Sequence, residues 1–273
     1  MKPITSPQNP RLKQLRKLAR ARERERTGLF VAEGEDLVLA AQAAGRSPVY
    51  GFSSEDLDLD GFERISSDLL AGVSTLGSGT RAIGVYEQEF NVFKAPLCVY
   101  LYAIKDPGNV GTILRSALAF GADVALGPGC ADPHSPKAVR ASMGAIFAAS
   151  IAHVASIEEL HGERVALVAH AGEPLASLHP NGPVTLLVGS EREGLPQEVV
   201  DACEHVAHIP IASESLNAAM AATVALYEMT RQINGLTDRG ARRSRETLAS
   251  GSNPRSGQLS LREAAPPSRV PNP

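Results

Sequence analysis

The sequence predicts an α/β protein with a mostly parallel sheet in its larger part, and three observations carry that expectation. Short apolar or β-branched runs alternate with helix-patterned segments from about residue 29 to 234. The run Leu97–Ala103 is continuously apolar, as in a strand buried on both faces. Gly or Pro marks many of the junctions, as at Gly28, Gly45, Pro107, Pro196 and Gly235.

The elements follow in order. Turn formers at 6–10 (SPQNP) precede Leu12, Leu15 and Leu18, whose three-residue spacing gives a thin apolar stripe. Lys13, Arg16, Lys17 and Arg20 surround it, and the pattern predicts one basic amphipathic helix ending at Gly28. Phe30–Val31 reads as a strand, 34–44 as an Ala- and Leu-rich helix closed by Gly45, and Val49–Phe52 and Ala82–Tyr86 as strands. A short helix is expected at Ser67–Leu70. A small α/β domain over residues 1–90 results.

In the second part, over 91–236, the strand at Leu97–Ala103 precedes a helix at 109–120, a strand at 122–126 and a helix at 134–143. Strands are expected at 165–169, 184–188 and His205–Ile209, with Pro196 opening a short helix at its first position. A long helix over 215–234, with Ser215 as its N-cap, ends at Gly235. Residues 237–273 hold no aromatic residue, five Pro and six Ser, and read as a disordered basic tail.

Charge is distributed unevenly. The chain of 273 residues has a formal net charge of -3, but residues 1–30 carry +7, residues 31–236 carry -14 and residues 237–273 carry +4. An acidic body with basic ends points to a polyanionic partner, with a solvated helix face as the plain alternative. Cys98, Cys130 and Cys203 lie far apart and form neither a disulfide framework nor a zinc pattern. No stretch reads as a membrane span or secretory signal. The expectation is a reduced, cytoplasmic protein without a metal.

Three segments carry chemistry. In Asp106–Gly121 a strand end turns through Pro107 and Gly108 into a helix whose first N–H groups can face an anion; Asn109 and Arg115 are its polar members. In Leu186–Pro196 an apolar strand runs into Gly189, which lets a flat ligand approach the backbone, and then into Glu191, which can pair with a cation. In Ile209–Asn217 a strand stops at Pro210 and leaves backbone groups that need other partners, before the Ala-rich helix. Taken singly, each also reads as a helix cap, a charged loop or a packed core helix.

Together and in this order, the three resemble the SpoU-type branch of the knotted RNA methyltransferases, the RNA 2′-O-ribose methyltransferases. The matching motifs are NxGxIxRSAxxFGA at 109–122, LVGxExxGLP at 187–196 and IPxx…SLN at 209–217. SPQNPRLKQLRKL at 6–18 and GLFVAEGEDLV at 28–38 are similar to that family's N-terminal extension, a ribosomal-protein L30e-type RNA-binding domain. The sequence departs from the family in two places: Ala212, Ser213 and Glu214 form a shorter link between the Ile-Pro-Ile triplet and Ser-Leu-Asn than is usual, and Ala219 replaces a Ser common in part of the family, although the Asn-Ala-Ala form occurs in other members.

The resemblance implies a deep trefoil knot, a homodimer, S-adenosyl-L-methionine as cofactor and structured RNA as substrate, with no metal and no membrane. It implies catalytic roles for Asn109, Arg115, Glu191, Ser215 and Asn217, with Glu191 holding Arg115 or other pocket groups. Ala169, Gly189, Ile209, Ile211 and Leu216 are the implied cofactor contacts. Arg11, Lys13, Arg16, Lys17 and Arg20 form the expected RNA face. The two-domain layout resembles ribosomal-RNA enzymes (23S), including antibiotic-resistance methyltransferases, more than the short transfer-RNA members. Two rivals stand beside this reading: a noncatalytic RNA-binding or ribosome-assembly factor on the same scaffold, and a dinucleotide-dependent enzyme, which the absence of GxGxxG disfavours.

Overall fold

The computed structural model describes residues 4–75 and 79–233. The expected tail at 237–273 lies outside the described residues, as does the end of the last helix. Met1–Gln232 form one compact unit that contains two sheets.

The first sheet comprises β1 (Leu29–Glu33), β2 (Tyr50–Ser54), β3 (Phe62–Ile65) and β4 (Ala82–Glu87), in the order β1-β4-β2-β3. Strand β4 pairs antiparallel with β1 and β2, and β2 pairs parallel with β3. Leu12, Leu15 and Leu18 of helix α1 (Pro10–Leu18) pack onto it with Phe52, Ile65, Ile83 and Val85. Asn9 caps α1, its side chain accepting from the Arg11 N–H at 2.8 Å, and Pro10 occupies the first turn.

The single basic helix expected up to Gly28 is in fact two, α1 and α2 (Ala21–Thr27), with a break at Ala19 and Arg20. The break has a specific partner. Buried Arg24 donates through Nη1 to the Leu18 carbonyl at 2.8 Å, satisfying an acceptor that the interruption frees. Its Nε donates to Asp132 at 2.7 Å in the second half of the molecule. Arg24 therefore belongs to the interior, although by sequence it counts towards the basic surface. Helices α3 (Glu35–Ala43) and α4 (Ser67–Ala71) follow the expected positions. Strand β3 was not expected, because FERI is short and half polar.

The second sheet is parallel throughout: β5 (Leu97–Leu101), β6 (Asp123–Leu126), β7 (Ile151–His153), β8 (Glu163–Leu167), β9 (Glu173–Pro174), β10 (Val184–Val188) and β11 (His205–His208). Its order is β7-β6-β5-β10-β8-β11-β9. Two of these strands, β7 and β9, have three and two residues and carry no legible alternation. Strand β8 begins and ends two residues before the expected 165–169, so Val168 and Ala169 lie beyond its carboxyl end.

Helix α5 (Pro107–Phe120) is capped by the Asp106 side chain, which accepts from the Gly108 N–H at 2.6 Å, and ends at Gly121 with φ of 66°. It buries Val110, Gly111, Ile113, Leu114 and Ala117. Gly111 is required by packing: a Cβ there would lie 2.2 Å from the Ala138 carbonyl oxygen and 2.7 Å from the Ala141 Cβ of α6 (Pro136–Ala141). Helix α7 (Gln197–Asp201) has Pro196 as its N-cap, one position before the expected site. Residues 218–233 form the last helix, α8.

The two sheets meet at an aromatic junction where Phe147 contacts Phe30 and Tyr86, with ring centroids 5.7 and 4.8 Å apart. His134 sits between Phe30 and Phe90, and its Nδ1 has no hydrogen-bond partner. Burial pushes its pKa down from 6.5 to about 4, with Arg24, His153 and Arg46 adding repulsion and Asp132 opposing. The unfolded chain thus binds a proton that the folded chain excludes. His134 contributes full stability above about pH 6.5 and loses it as pH falls towards about 4, on the order of 3 kcal/mol in total. His134→Phe is expected to flatten this limb of a urea-midpoint-against-pH curve; curves of equal slope would show that another group governs acid sensitivity.

Candidate functional site

Four adjacent strands of the parallel sheet, β5, β10, β8 and β11, end at a common level. Val188 pairs with both Leu101 and Leu167, and Ala207 pairs with Leu167. Loops beyond such carboxyl ends enclose a crevice. Here they are 102–106, 168–172, 189–196 and 209–217, so four segments separated in sequence meet because β10 lies between β5 and β8 and β11 follows β8. The backbone at the first of these ends is unusual: Ala103 adopts a φ of 54°, a strained value for a residue with a side chain.

A cleft of about 510 Å³ opens there. All five residues expected to hold the cofactor line it: Ala169, Gly189, Ile209, Ile211 and Leu216. Glu191 and Ser215 line it as well. Leu167, Val188, Ala218 and Ala221 belong to its apolar wall; the sequence marks them only as members of strands and of the Ala-rich helix.

The polar residues form a chain of hydrogen bonds at the site. Asn109 Nδ2 donates to Glu191 Oε1, and Asn217 Nδ2 donates to Asn109 Oδ1 at 3.1 Å. Asn217 Oδ1 in turn accepts from the Ala219 and Met220 N–H groups at 3.0 and 3.3 Å. Asn217, not Ser215, is therefore the N-cap of α8, and the helix starts at 218 rather than 215. Ser215 instead accepts from the Ser213 hydroxyl through its carbonyl, at 3.4 Å. One short network thus joins the three motifs, and it commits both polar atoms of the Asn109 amide.

Arg115 does not join this network. It is exposed on α5, bonds to no side chain among the described residues and does not line the cleft of its own chain. The carboxylate expected to hold it, Glu191, holds Asn109. Helices α5 and α8 also carry exposed apolar side chains: Leu118 on α5, and Met220, Val224 and Tyr227 on α8. The two helices are joined by the Ser116 and Thr223 hydroxyls, 2.6 Å apart.

The role expected for Gly189 changes. A Cβ at Gly189 would lie 2.2 Å from the Gly194 carbonyl carbon and 2.4 Å from the Leu195 nitrogen. The missing side chain makes room for the returning strand of its own loop, where the Gly194 N–H donates to the Ser190 carbonyl at 3.0 Å.

On the expected RNA face, Arg11 pairs with Glu63 and stacks over the Tyr50 ring, while Arg16 donates to the Gly72 and Pro7 carbonyls. These two tie α1 to the first sheet and its neighbouring turns. Lys13, Lys17 and Arg20 are exposed and make no side-chain bond among the described residues.

Comparison with known proteins gives a consistent result. The SpoU rRNA Methylase family matches residues 96–227, and an MRM3-like substrate binding domain matches residues 9–91. A tRNA/rRNA methyltransferase of Synechocystis, itself uncharacterized, is 31% identical over 84% of this chain and 93% of its own. A 23S rRNA guanosine 2′-O-methyltransferase of Bacillus subtilis, RlmP, is 31% identical over 84% of this chain and 99% of its own. Among solved structures, an AdoMet-bound rRNA methyltransferase from Sinorhizobium meliloti superposes with a TM-score of 0.75 at 28% identity, covering 84% of this chain and 97% of that one. The SpoU methyltransferase AviRb from Streptomyces viridochromogenes, in complex with AdoMet, gives 0.72 at 26% identity, over 82% and 98%.

Proposed function

The chain belongs to the SpoU rRNA methylase family, and from that premise we propose that it transfers a methyl group from S-adenosylmethionine to a ribose 2′-hydroxyl of structured RNA, with 23S rRNA as the first candidate substrate. One observation carries the reading: the five residues expected to hold the cofactor line a single cleft with Glu191, which is bonded to Asn109 and through it to Asn217.

The cleft suits the cofactor. Ile209, Ile211 and Leu216 offer apolar surface, and the backbone groups beyond four strand ends offer donors and acceptors. When bound, S-adenosylmethionine supplies a methyl group made electrophilic by its sulfonium. The chain must then hold a hydroxyl in line with that methyl and accept its proton. Glu191 lines the cleft, and among the described residues only one of its carboxylate oxygens is taken up, by Asn109. Its other oxygen is free to accept from the cofactor or from the ribose. Asn217 and Asn109 keep Glu191 in place, and Ser215 supplies a further hydroxyl. Arg115 acts as a cation, stabilising developing alkoxide or the adjacent phosphate.

Arg115 is exposed on α5, and the paired helices α5 and α8 expose Leu118, Met220, Val224 and Tyr227. A homodimer formed through this apolar surface would cover it and carry Arg115 towards the partner's cleft, which accounts for its separation from the cleft of its own chain. The C-terminal segment, which inserts β10 between β5 and β8 before α8 returns to α5, is consistent with a deep trefoil knot. Residues 1–90 serve as an L30e-like RNA-binding domain and 91–236 as the methyltransferase domain. Among the described residues no helix is long and apolar enough to cross a membrane, and the cytoplasm is the location proposed with this reading.

The test is incubation of the purified protein with methyl-tritiated S-adenosylmethionine and unmodified 23S rRNA, with transfer RNA in parallel. Ribose methylation makes the adjoining phosphodiester resistant to alkali, so label must appear in alkali-resistant dinucleotides. No transfer to any RNA would leave the noncatalytic rival. For the RNA face, Lys17→Ala with Arg20→Ala is expected to flatten the slope of log affinity against log salt by about 1.5, at ~0.7–0.9 per lost phosphate contact. An unchanged slope would mean that this face is merely solvated.

A further inference from the structure

We propose that the exposed face of α6, carrying Lys137 and Arg140, is a phosphate-contacting bridge that guides the RNA strand from the basic N-terminal helices to the Asn109 turn. The inference rests on the reading of RNA as substrate and assigns part of its path.

The two cations are three residues apart, so they share one face of α6, and both are exposed while Ala138 and Val139 are buried. Each end of this face adjoins a place that the RNA must reach. At one end, Arg140 lines a narrow gap together with Leu15 and Ala19 of the α1 end, beside Arg20. At the other, Lys137 lies against the turn into α5. Its Nζ is 2.8 Å from Asp106 Oδ1, and its Cε would be 3.2 Å from a Cβ on Gly108, the residue before Asn109. Gly111 makes this proximity possible, because α6 rests directly on the α5 backbone there.

The charge balance singles out this surface. Residues 31–236 carry -14, yet the stretch 105–143 holds Lys105, Arg115, Lys137 and Arg140 against only Asp106, Asp123 and Asp132. All three acids are engaged. Asp106 caps α5 and pairs with Lys137, Asp132 holds Arg24, and buried Asp123 accepts from the Lys94 and Ala95 N–H groups. Glu33, which lines the same gap as Arg140, accepts bonds from Ser74, Thr75 and Thr80. Arg140 and Lys105 make no ion pair or side-chain hydrogen bond among the described residues. A cationic strip of this kind, on an otherwise acidic body and between the two RNA-contacting regions, fits a run of backbone phosphates.

The full-length double variant Lys137→Gln, Arg140→Gln tests this by filter binding to an unmodified 23S rRNA transcript across a potassium chloride series. The salt slope is expected to fall by about 1.5, at ~0.7–0.9 per contact, with S-adenosylmethionine affinity unchanged by calorimetry. Lys137→Arg with Arg140→Lys keeps the charge and should keep the slope. Asp106→Asn retains a capping side chain and frees the Lys137 ammonium, so it should raise RNA affinity. If Lys137 is instead only a tether between α5 and α6, Asp106→Asn will weaken binding as the double variant does, and the proposal fails. A double variant with the wild-type slope overturns the proposal while leaving the RNA reading intact. A wild-type protein without salt-dependent RNA binding overturns both.

Discussion

Arg115→Ala is expected to lower the rate of methyl transfer by about 10²–10³, the usual effect of removing one preorganised electrostatic group. Affinity for S-adenosylmethionine should remain near the wild-type level, because the role proposed for Arg115 is towards the RNA alkoxide or phosphate and it does not line the cleft of its own chain. Stability should also hold: the side chain is exposed and bonds to nothing among the described residues. Single-turnover transfer to 23S rRNA, with calorimetry for the cofactor, separates the two effects. Arg115→Lys retains charge but loses the planar fork, and is expected to recover only part of the rate. A variant of Arg115→Ala that keeps most of its turnover would remove the arginine from the mechanism and leave Glu191 and the bound cofactor to carry it.

Gly189→Val is expected to weaken cofactor binding about ten- to hundredfold, from an overpacking cost of ~1–3 kcal/mol. The added atom meets backbone at 2.2–2.4 Å, and backbone cannot turn aside as a side chain can. The bridge between Ser190 and Gly194 must open, and the loop that carries Glu191 moves with it. The comparison with Gly189→Ala is decisive. A clash within the loop begins at the Cβ, so Ala should do nearly as much harm as Val. A clash with a ligand lying on the backbone would spare Ala and punish Val. Calorimetry on both folded variants reads the difference, and wild-type affinity in both would mean that the loop accommodates the atom without cost.

Much of the site was legible in the chain because its parts are local. Asn109, Gly189, Glu191 and Asn217 sit at junctions between an apolar strand and a turn, and such junctions are marked by Gly, Pro and Asn within a few residues. What could not be read was how each residue is used. Ser215 and Asn217 are both plausible caps, and the choice depends on which oxygen reaches the free N–H groups of α8. A pairing of Glu191 with Arg115 satisfies charge, yet Glu191 lies closer to Asn109, because the β10 and β5 ends are neighbours while Arg115 points away along α5. Arg24 counted as a surface cation until the break after α1 and the carboxylate of Asp132 drew it inside.

By itself the sequence determined the α/β class, the positions of most strands and helices, the family resemblance and several residues that line the candidate cleft. Periodicity, turn chemistry and short motifs act over a few residues, and the chain displays them directly. Tertiary structure alone decided the sheet order, with β10 between β5 and β8, and hence which strand ends share a crevice. It also decided that α1 and α2 are separate, that Gly189 and Gly111 serve close backbone packing, and that Lys137 stands beside the Asn109 turn. These depend on contacts between segments tens of residues apart, where burial and steric fit, rather than local preference, select the arrangement.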